Sequence, residues 1–306
     1  MHPTDSAQAA TASVKQATGG DLKASASEVS GRVMKHDDLG LAAEVAYHAM
    51  LAFLPFLLFL GAIAGLFSPL IEKDEIVDAI AGQAEEAGAE EATSTVKQMV
   101  EDILDNSSAQ LAAVGLLVAV WSGSNAIAAL MKGLDRIHGT EKRTGWLAIR
   151  AKAAAFLVLF VAVFVLAQVL IQGASLLGDE IGSVAGLPIE FIAWLLGLAL
   201  VVASIGVFYR FAPSERRESD ALVTLGSLVY AVAWIAITGV YTIYLSLFGG
   251  PTSAFGVVGA VILIMVWFFW TAFSVLLGAE VDRYVGDQVD GGRGGGRPPA
   301  KGATQR

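Results

Sequence analysis

The sequence has no cysteine among its 306 residues, and charged residues make up only 16% of the chain. The lack of cysteine excludes disulfide bonds, thiol catalysis and zinc sites with cysteine ligands. An average soluble protein has about 25% charged and about 45–50% apolar residues, whereas this chain is 55% apolar. Because a soluble core cannot bury this excess, the composition excludes an ordinary soluble enzyme and predicts a protein of the lipid bilayer.

The sequence also lacks the motifs of common nucleotide-hydrolysing and hydrolytic enzymes. It has no Gly-rich loop ending in Lys and Ser or Thr, no His-Glu-x-x-His and no Gly-x-Ser-x-Gly. Its four histidines are too scattered along the chain to suggest a zinc site. We therefore predict no catalytic residue, no metal, no cofactor and no enzyme activity.

Six apolar segments are long enough to cross a bilayer, which needs about 20 helical residues. They comprise residues 45–67, 111–131, 153–177, 191–209, 221–248 and 254–279. None of them contains Asp, Glu, Lys or Arg. The predicted fold class is therefore all-α, a polytopic membrane protein with six transmembrane helices.

Lysine and arginine are distributed unevenly between the two ends of the predicted spans. All but two of the 20 basic residues lie before the first span, between the second and third, between the fourth and fifth, or after the sixth. The exceptions, Lys73 and Lys97, lie between the first and second spans. Since cytoplasmic loops carry the excess of Lys and Arg, both termini are predicted to be cytoplasmic.

The chain divides into three parts. Residues 1–25 are predicted to be a disordered arm, residues 26–286 form the membrane domain, and residues 287–306 are predicted to be a disordered Gly/Arg tail. Residues 26–40 have apolar residues at helical spacing. They are expected to form either a short helix on the inner leaflet or a helical extension of the first span.

The segment 72–108 is external and acidic in this topology. Its carboxylates could bind a cation, but it lacks the spaced Asp and Gly residues of a calcium loop, so a solvated acidic face is the favoured interpretation. Apolar residues within 94–105 follow the spacing of an amphipathic helix. This part of the segment is a candidate docking surface for an envelope protein.

Several polar side chains lie in or near the spans at similar depth on the predicted cytoplasmic side. They are Glu44, His48, Asn125 and Glu280, with Arg210 and Arg283 as candidate counter-charges. Since polar groups in a bilayer are costly, these side chains are expected to face protein or water and could line one cavity. Alternatively, the two carboxylates anchor span ends at the interface, and His48 and Asn125 make structural hydrogen bonds.

Aromatic residues occur in two settings along the spans. Trp194, Tyr241 and Tyr244 fit positions at the membrane interfaces, where aromatic residues are enriched. Trp121, Trp267 and Trp270 lie within spans and are expected to be buried against other helices.

Three stretches resemble the YihY/BrkB family of bacterial inner-membrane proteins. They are residues 42–55 (AAEVAYHAMLAFLP), 121–137 (WSGSNAIAALMKGLDRI) and 255–280, which ends in Leu-Gly-Ala-Glu. Arg-Phe-Ala-Pro at 210–213 also fits the family. The resemblance implies six helical spans with both termini inside. It implies no reaction, because family members carry both a ribonuclease BN label and a virulence or serum-resistance label.

Together, these features predict an integral inner-membrane protein that transports or translocates a solute or lipid. The alternative is a non-enzymatic envelope scaffold that docks a partner through residues 94–105. Membrane lipids are expected partners and nucleic acid is not. A ribonuclease would need clustered cytoplasmic carboxylates holding a metal, or paired histidines, and the carboxylate cluster of this sequence lies on the predicted outer side.

Overall fold

The computed structural model describes residues 22–67, 97, 109–140, 145–181, 183–214, 223–248 and 252–293. Within these residues the chain forms helices and short links, with no strand. The helices are α1 (Leu22–His36), α2 (Asp38–Phe67), α3 (Ala109–His138), α4 (Trp146–Ile181), α5 (Ser183–Phe211), α6 (Leu225–Phe248) and α7 (Thr252–Arg293).

The helices α2 to α7 are each long and apolar enough to cross a membrane. Helix α4 shows why they need a bilayer, because Val158, Phe164 and Val169 are 61%, 64% and 62% exposed on its surface. Large apolar side chains exposed in this way are stable next to acyl chains and costly in water. The predicted all-α fold with six spans is confirmed.

The helices extend beyond most of the limits set by hydropathy. The span that was predicted to begin at residue 221 begins at Leu225. The span that was predicted to begin at residue 153 already begins at Trp146, as α4. Helix α1 begins at Leu22, so residues 22–25 of the predicted arm are helical, and α7 continues to Arg293, into the predicted tail. Backbone hydrogen bonds continue a helix into the polar region, where side-chain hydropathy no longer marks it.

Helix α1 is separated from α2 by Asp37, whose φ is 59°. Aspartate is among the few residues other than glycine that adopt this left-handed conformation readily. Helix α1 is therefore not a straight extension of the first span, and it packs against α7, α2 and α3. A position at the surface of the inner leaflet stays a prediction.

The six spans pack in sequence order around the bundle, and α7 closes it by packing against α2 and α3. The buried core lies where α2, α4 and α6 begin and α3, α5 and α7 end; Leu134, Phe208 and Leu276 are fully buried there. Phe208 packs edge-on against Phe156, with the ring centroids 5.0 Å apart. Among the described residues, this packed core thus lies at the end that carries most of the basic side chains.

Helices α6 and α7 approach closely at two glycines in this core. A Cβ atom at Gly278 would clash with the Tyr209 hydroxyl and with the backbone of Gly226, and a Cβ at Gly226 would clash with the carbonyl of Gly278. The Tyr209 hydroxyl donates a 2.6 Å hydrogen bond to the Val275 carbonyl. The Gly226 N–H donates a 2.8 Å bond to Asp282. Because both glycines lack a side chain, α6 and α7 come close enough for these hydrogen bonds to form, and the bonds link α5, α6 and α7.

Candidate functional site

Two carboxylates are fully buried at the basic end of the bundle. Glu280 on α7 and Asp38 at the start of α2 are both 0% exposed. One oxygen of Glu280 is hydrogen-bonded to Nδ1 of His36, the last residue of α1. Within the described residues, the other Glu280 oxygen and both Asp38 oxygens have no hydrogen-bond partner. Such groups are costly to bury, so this pair is the candidate functional site.

Opposing charges act on the Asp38 carboxylate. The Arg136 guanidinium donates a 3.0 Å hydrogen bond to the backbone carbonyl of His36. Its positive charge attracts the Asp38 carboxylate, while Glu280 and Asp37 repel it. We call His36, Asp38, Arg136 and Glu280 the buried carboxylate cluster. It places two acidic groups beside one permanent cation and one histidine.

Further contacts hold α1 over the cluster. Arg32 donates hydrogen bonds of 2.8 Å to Asp287 on α7 and 3.0 Å to Glu28. The bond to Asp287 is the largest of the effects that raise the pKa of Arg32 above its ordinary value. The hydroxyls of Ser25 and Tyr284 lie 3.1 Å apart. Helix α1 is thus attached to α7 at several points along its length, and the cluster lies at its end.

The structure places Glu44 on an exposed side of the bundle. Its carboxylate accepts hydrogen bonds of 2.7 and 3.1 Å from the Lys132 ammonium on α3. The two side chains are 38% and 50% exposed. Exposed pairs of this kind contribute at most about 1 kcal/mol, so Glu44 differs in environment from Glu280.

Asn125 lies at a separate position, between α3 and the start of α4. Its side-chain oxygen accepts a hydrogen bond from Arg150. The Arg150 guanidinium also lies over the Trp121 ring, 4.3 Å from its centroid. Trp121 and Trp270 are 56% and 39% exposed, so the expectation that they are buried was wrong. The partner of Trp121 is an arginine on the next helix instead of an apolar core.

The remaining predicted residues are also distributed among different partners. The His48 ring is half-buried and contacts the Tyr47 ring edge-on, with centroids 5.5 Å apart. The Arg210 guanidinium lies 5.1 Å from the centre of the Phe211 ring. Arg283 forms a 3.2 Å ion pair with Asp287. The predicted cavity residues therefore have different partners, and only Glu280 belongs to the buried carboxylate cluster.

Sequence reasoning missed His36 and Asp38. Both precede the first apolar run, in a stretch that is mainly polar, and neither is spaced regularly with Glu280. His36 and Glu280 are 244 positions apart. The only local signal is an aspartate at the start of a helix, which the helix dipole explains equally well.

A cavity of about 390 Å³ opens at the same end of the bundle. Lys132, Asp135, Arg136 and Thr140 supply its polar wall. Arg136 also belongs to the buried carboxylate cluster through its bond to His36. One arginine therefore connects a cavity of ligand-binding size with the buried carboxylates.

Comparisons with known proteins identify the family. The sequence model of virulence factor BrkB matches residues 29–303. The chain belongs to the BrkB family. It is 24% identical over 265 residues to the ribonuclease-like protein YfkH of Bacillus subtilis, an alignment covering 83% of this chain and 92% of YfkH. It is 25% identical over 195 residues to the UPF0761 membrane protein YihY of Salmonella newport, covering 63% of this chain and 65% of YihY. No solved structure gives a significant match.

These matches confirm the resemblance to the YihY/BrkB family. A UPF0761 membrane protein of Chromohalobacter salexigens is 25% identical over 273 residues, which cover 85% of this chain and 63% of that protein. Membrane proteins predominate among these names, in agreement with the six apolar helices. The ribonuclease-like label belongs to YfkH, and the BrkB family is not a family of established enzymes.

Two of the BrkB-family stretches meet in the structure. Asp135, in the stretch Leu-Asp-Arg-Ile, accepts 2.7 Å hydrogen bonds from both the N–H and the hydroxyl of Ser214. Ser214 directly follows the stretch Arg-Phe-Ala-Pro at 210–213. The stretch ending in Glu280 supplies both the close-packing Gly278 and the buried carboxylate. Residues quoted for the resemblance thus form the packed end of the bundle.

Proposed function

We propose that this BrkB-family protein moves a solute or lipid across the bacterial inner membrane, with the buried carboxylate cluster binding the proton that is coupled to this movement. The single observation that carries the proposal is the complete burial of Asp38 and Glu280 beside His36. The orientation that we propose has both termini and this cluster on the cytoplasmic side. The basic residues Lys132, Arg136 and Lys152 at the same end support it.

The physical argument is the cost of enclosing acidic groups. Taking a charged group out of water costs roughly several kcal/mol of free energy per ion, unless good partners compensate for it. A neutral, protonated carboxyl avoids most of that cost, so a proton is the simplest ligand for the two carboxyl groups. The His36 ring is hydrogen-bonded to Glu280, so a proton can pass between this ring and the buried carboxyl group.

A protein that serves only as a scaffold has no need for this arrangement. The scaffold alternative depends on residues 94–105, which lie outside the described residues except for Lys97. We propose no enzyme activity, because the BrkB family is not a family of established enzymes.

Inverted membrane vesicles from producing cells test the proposal without choosing a cargo in advance. The vesicles are energised with NADH, and a pH-sensitive acridine dye reports the proton gradient. The low-molecular-weight fraction of a cytosolic extract is then added. We expect faster dissipation of the gradient than in vesicles from cells lacking the protein. Equal rates in both preparations would contradict proton-coupled transport of a cytosolic solute.

A further inference from the structure

A second cavity, of about 500 Å³, lies beside the first turns of α4 where α5 ends. Four of its lining residues, Lys152, Ala155, Phe156 and Leu159, follow one stripe of α4. Their spacing of i, i+3, i+4 and i+7 places them on one helix face. By helical rise, the stripe extends about 10 Å from its charged end into the apolar part of the helix.

The charged end of this stripe has no acidic partner among the described residues. The Lys152 ammonium donates hydrogen bonds to the carbonyls of Phe211, at 3.2 Å, and Pro213, at 3.5 Å. Lysine has three N–H donors, so one remains available. By contrast, Lys132 is neutralised by Glu44. Asp135, the acidic residue that binds neighbouring Ser214, already accepts two hydrogen bonds from it.

The bonds to the two carbonyls also cap the end of α5, since basic side chains often bind the last carbonyls of a helix. Capping explains the position of the ammonium but not the open apolar cavity beside it. The cavity wall includes Ala155, which is exposed, and the exposed Val158 lies on the adjoining surface of α4. An acyl chain can therefore enter from the side of the bilayer.

Aromatic residues indicate how deep Lys152, the charged end of the stripe, lies in the membrane. Trp146, at the start of α4, is 67% exposed, and Trp121 contacts it with ring centroids 6.5 Å apart. Exposed tryptophans are characteristic of the level of the lipid headgroups. Lys152 lies less than two turns along α4 from Trp146, which is within reach of a lipid phosphate.

We propose that this cavity binds one anionic phospholipid, with its phosphate at Lys152 and the first part of an acyl chain along Ala155, Phe156 and Leu159. An inorganic phosphate would gain the charge interaction but nothing from the apolar wall. A soluble apolar ligand would leave the lysine without a partner. The inference does not depend on transport, because a bound lipid can also be a permanent part of the structure.

Native mass spectrometry of the purified full-length protein tests this site. Phosphatidylglycerol and phosphatidylcholine of identical acyl chains are titrated separately, and the 1:1 adduct is measured for each. We expect phosphatidylglycerol to bind more tightly. Lys152→Met removes the charge and keeps most of the aliphatic stem, so it should weaken phosphatidylglycerol binding by about tenfold or more and abolish the preference.

Lys132→Met is the matched control, because it also removes one positive charge at the same end of the bundle. It should keep the preference for phosphatidylglycerol. Ala155→Trp is a second test in case Lys152→Met does not fold, since it narrows the cavity from its exposed side and leaves the lysine in place. It should reduce binding of both lipids.

Three results would overturn the proposal. One is an unchanged preference for phosphatidylglycerol in Lys152→Met, which would mean that the lysine only caps α5. Another is displacement of phosphatidylglycerol by millimolar inorganic phosphate, which would indicate a site for a free anion. The third is unchanged lipid binding in Ala155→Trp, which would place the lipid elsewhere.

Discussion

At the scale of single residues, the environment of each carboxylate determines its role. Glu280 and Glu44 are both glutamates near the same end of the bundle. Glu280 is enclosed and bound to His36, whereas Glu44 is exposed and paired with Lys132. Removing the partner of Glu280 would leave a buried group without compensation. It should therefore lower the free energy of unfolding more than removing the partner of the exposed Glu44.

The first prediction concerns the stability of the His36–Glu280 pair. His36→Ala removes the hydrogen-bond partner of a fully buried carboxyl group, so the free energy of unfolding should fall by about 1–3 kcal/mol. Thermal unfolding in detergent measures the change. Lys132→Ala is the control, because it breaks an exposed pair and should cost less than about 1 kcal/mol. Equal, small losses in both variants would show that His36 does not compensate Glu280.

The sequence identified Glu280 as a residue of interest but not its partner. Its position at the end of an apolar run was visible in the sequence, whereas its partner depends on α1 crossing the end of the bundle. Glu44 was grouped with His48 because the two are four residues apart, yet Glu44 binds Lys132 on the neighbouring helix. Spacing within one helix determines which residues share a face, but contacts between helices determine which side chain meets which.

At the scale of helices, the sequence pattern was most informative about the spans and least informative about their ends. Long apolar runs locate α2 to α7 because the bilayer requires them. The helical ends in the polar region are set by local geometry, such as Asp37 before α2 and Gly139, with a φ of 65°, after α3. Neither end follows from hydropathy.

The second prediction concerns the contact between α6 and α7. Gly278→Ala introduces a Cβ that clashes with the Tyr209 hydroxyl and the Gly226 backbone. Overpacking of this kind should lower the free energy of unfolding by about 1–3 kcal/mol. Gly239→Ala, also in a helix, is the control, because its Cβ would meet nothing within 4 Å. If thermal unfolding shows the two variants to be equally stable, the close approach of α6 and α7 is not required.

At the scale of the whole molecule, the spans close into a bundle whose packed end carries most of the described basic residues, the two cavities and the buried carboxylates. Helix α1 lies over this end and links to α7 through Arg32 and Asp287. The fold was predictable because the number of spans follows from hydropathy. The position of α1 was not, because it depends on ion pairs between segments that are 255 positions apart in the chain.

The third prediction concerns the topology. Because the sequence has no cysteine, each introduced cysteine is the only thiol of the protein that a maleimide can label. Single cysteines at Thr304 and at Thr93 are compared by labelling intact cells with a membrane-impermeant maleimide. We expect labelling at Thr93→Cys alone, with Thr304→Cys labelled only after the cells are permeabilised, because Lys and Arg predominate on the side of the termini. Labelling of Thr304→Cys in intact cells would reverse the orientation.

The measurement that tests the central claim most directly compares proton-gradient dissipation by Glu280→Gln and Glu44→Gln in inverted vesicles containing equal amounts of each protein. Both changes neutralise one glutamate with almost no change of shape. If the buried carboxylate cluster binds the coupled proton, Glu280→Gln should reduce the extract-dependent rate to that of vesicles without the protein, while Glu44→Gln should retain most of the wild-type rate. A Glu280→Gln protein that is folded and as active as wild type would contradict the account.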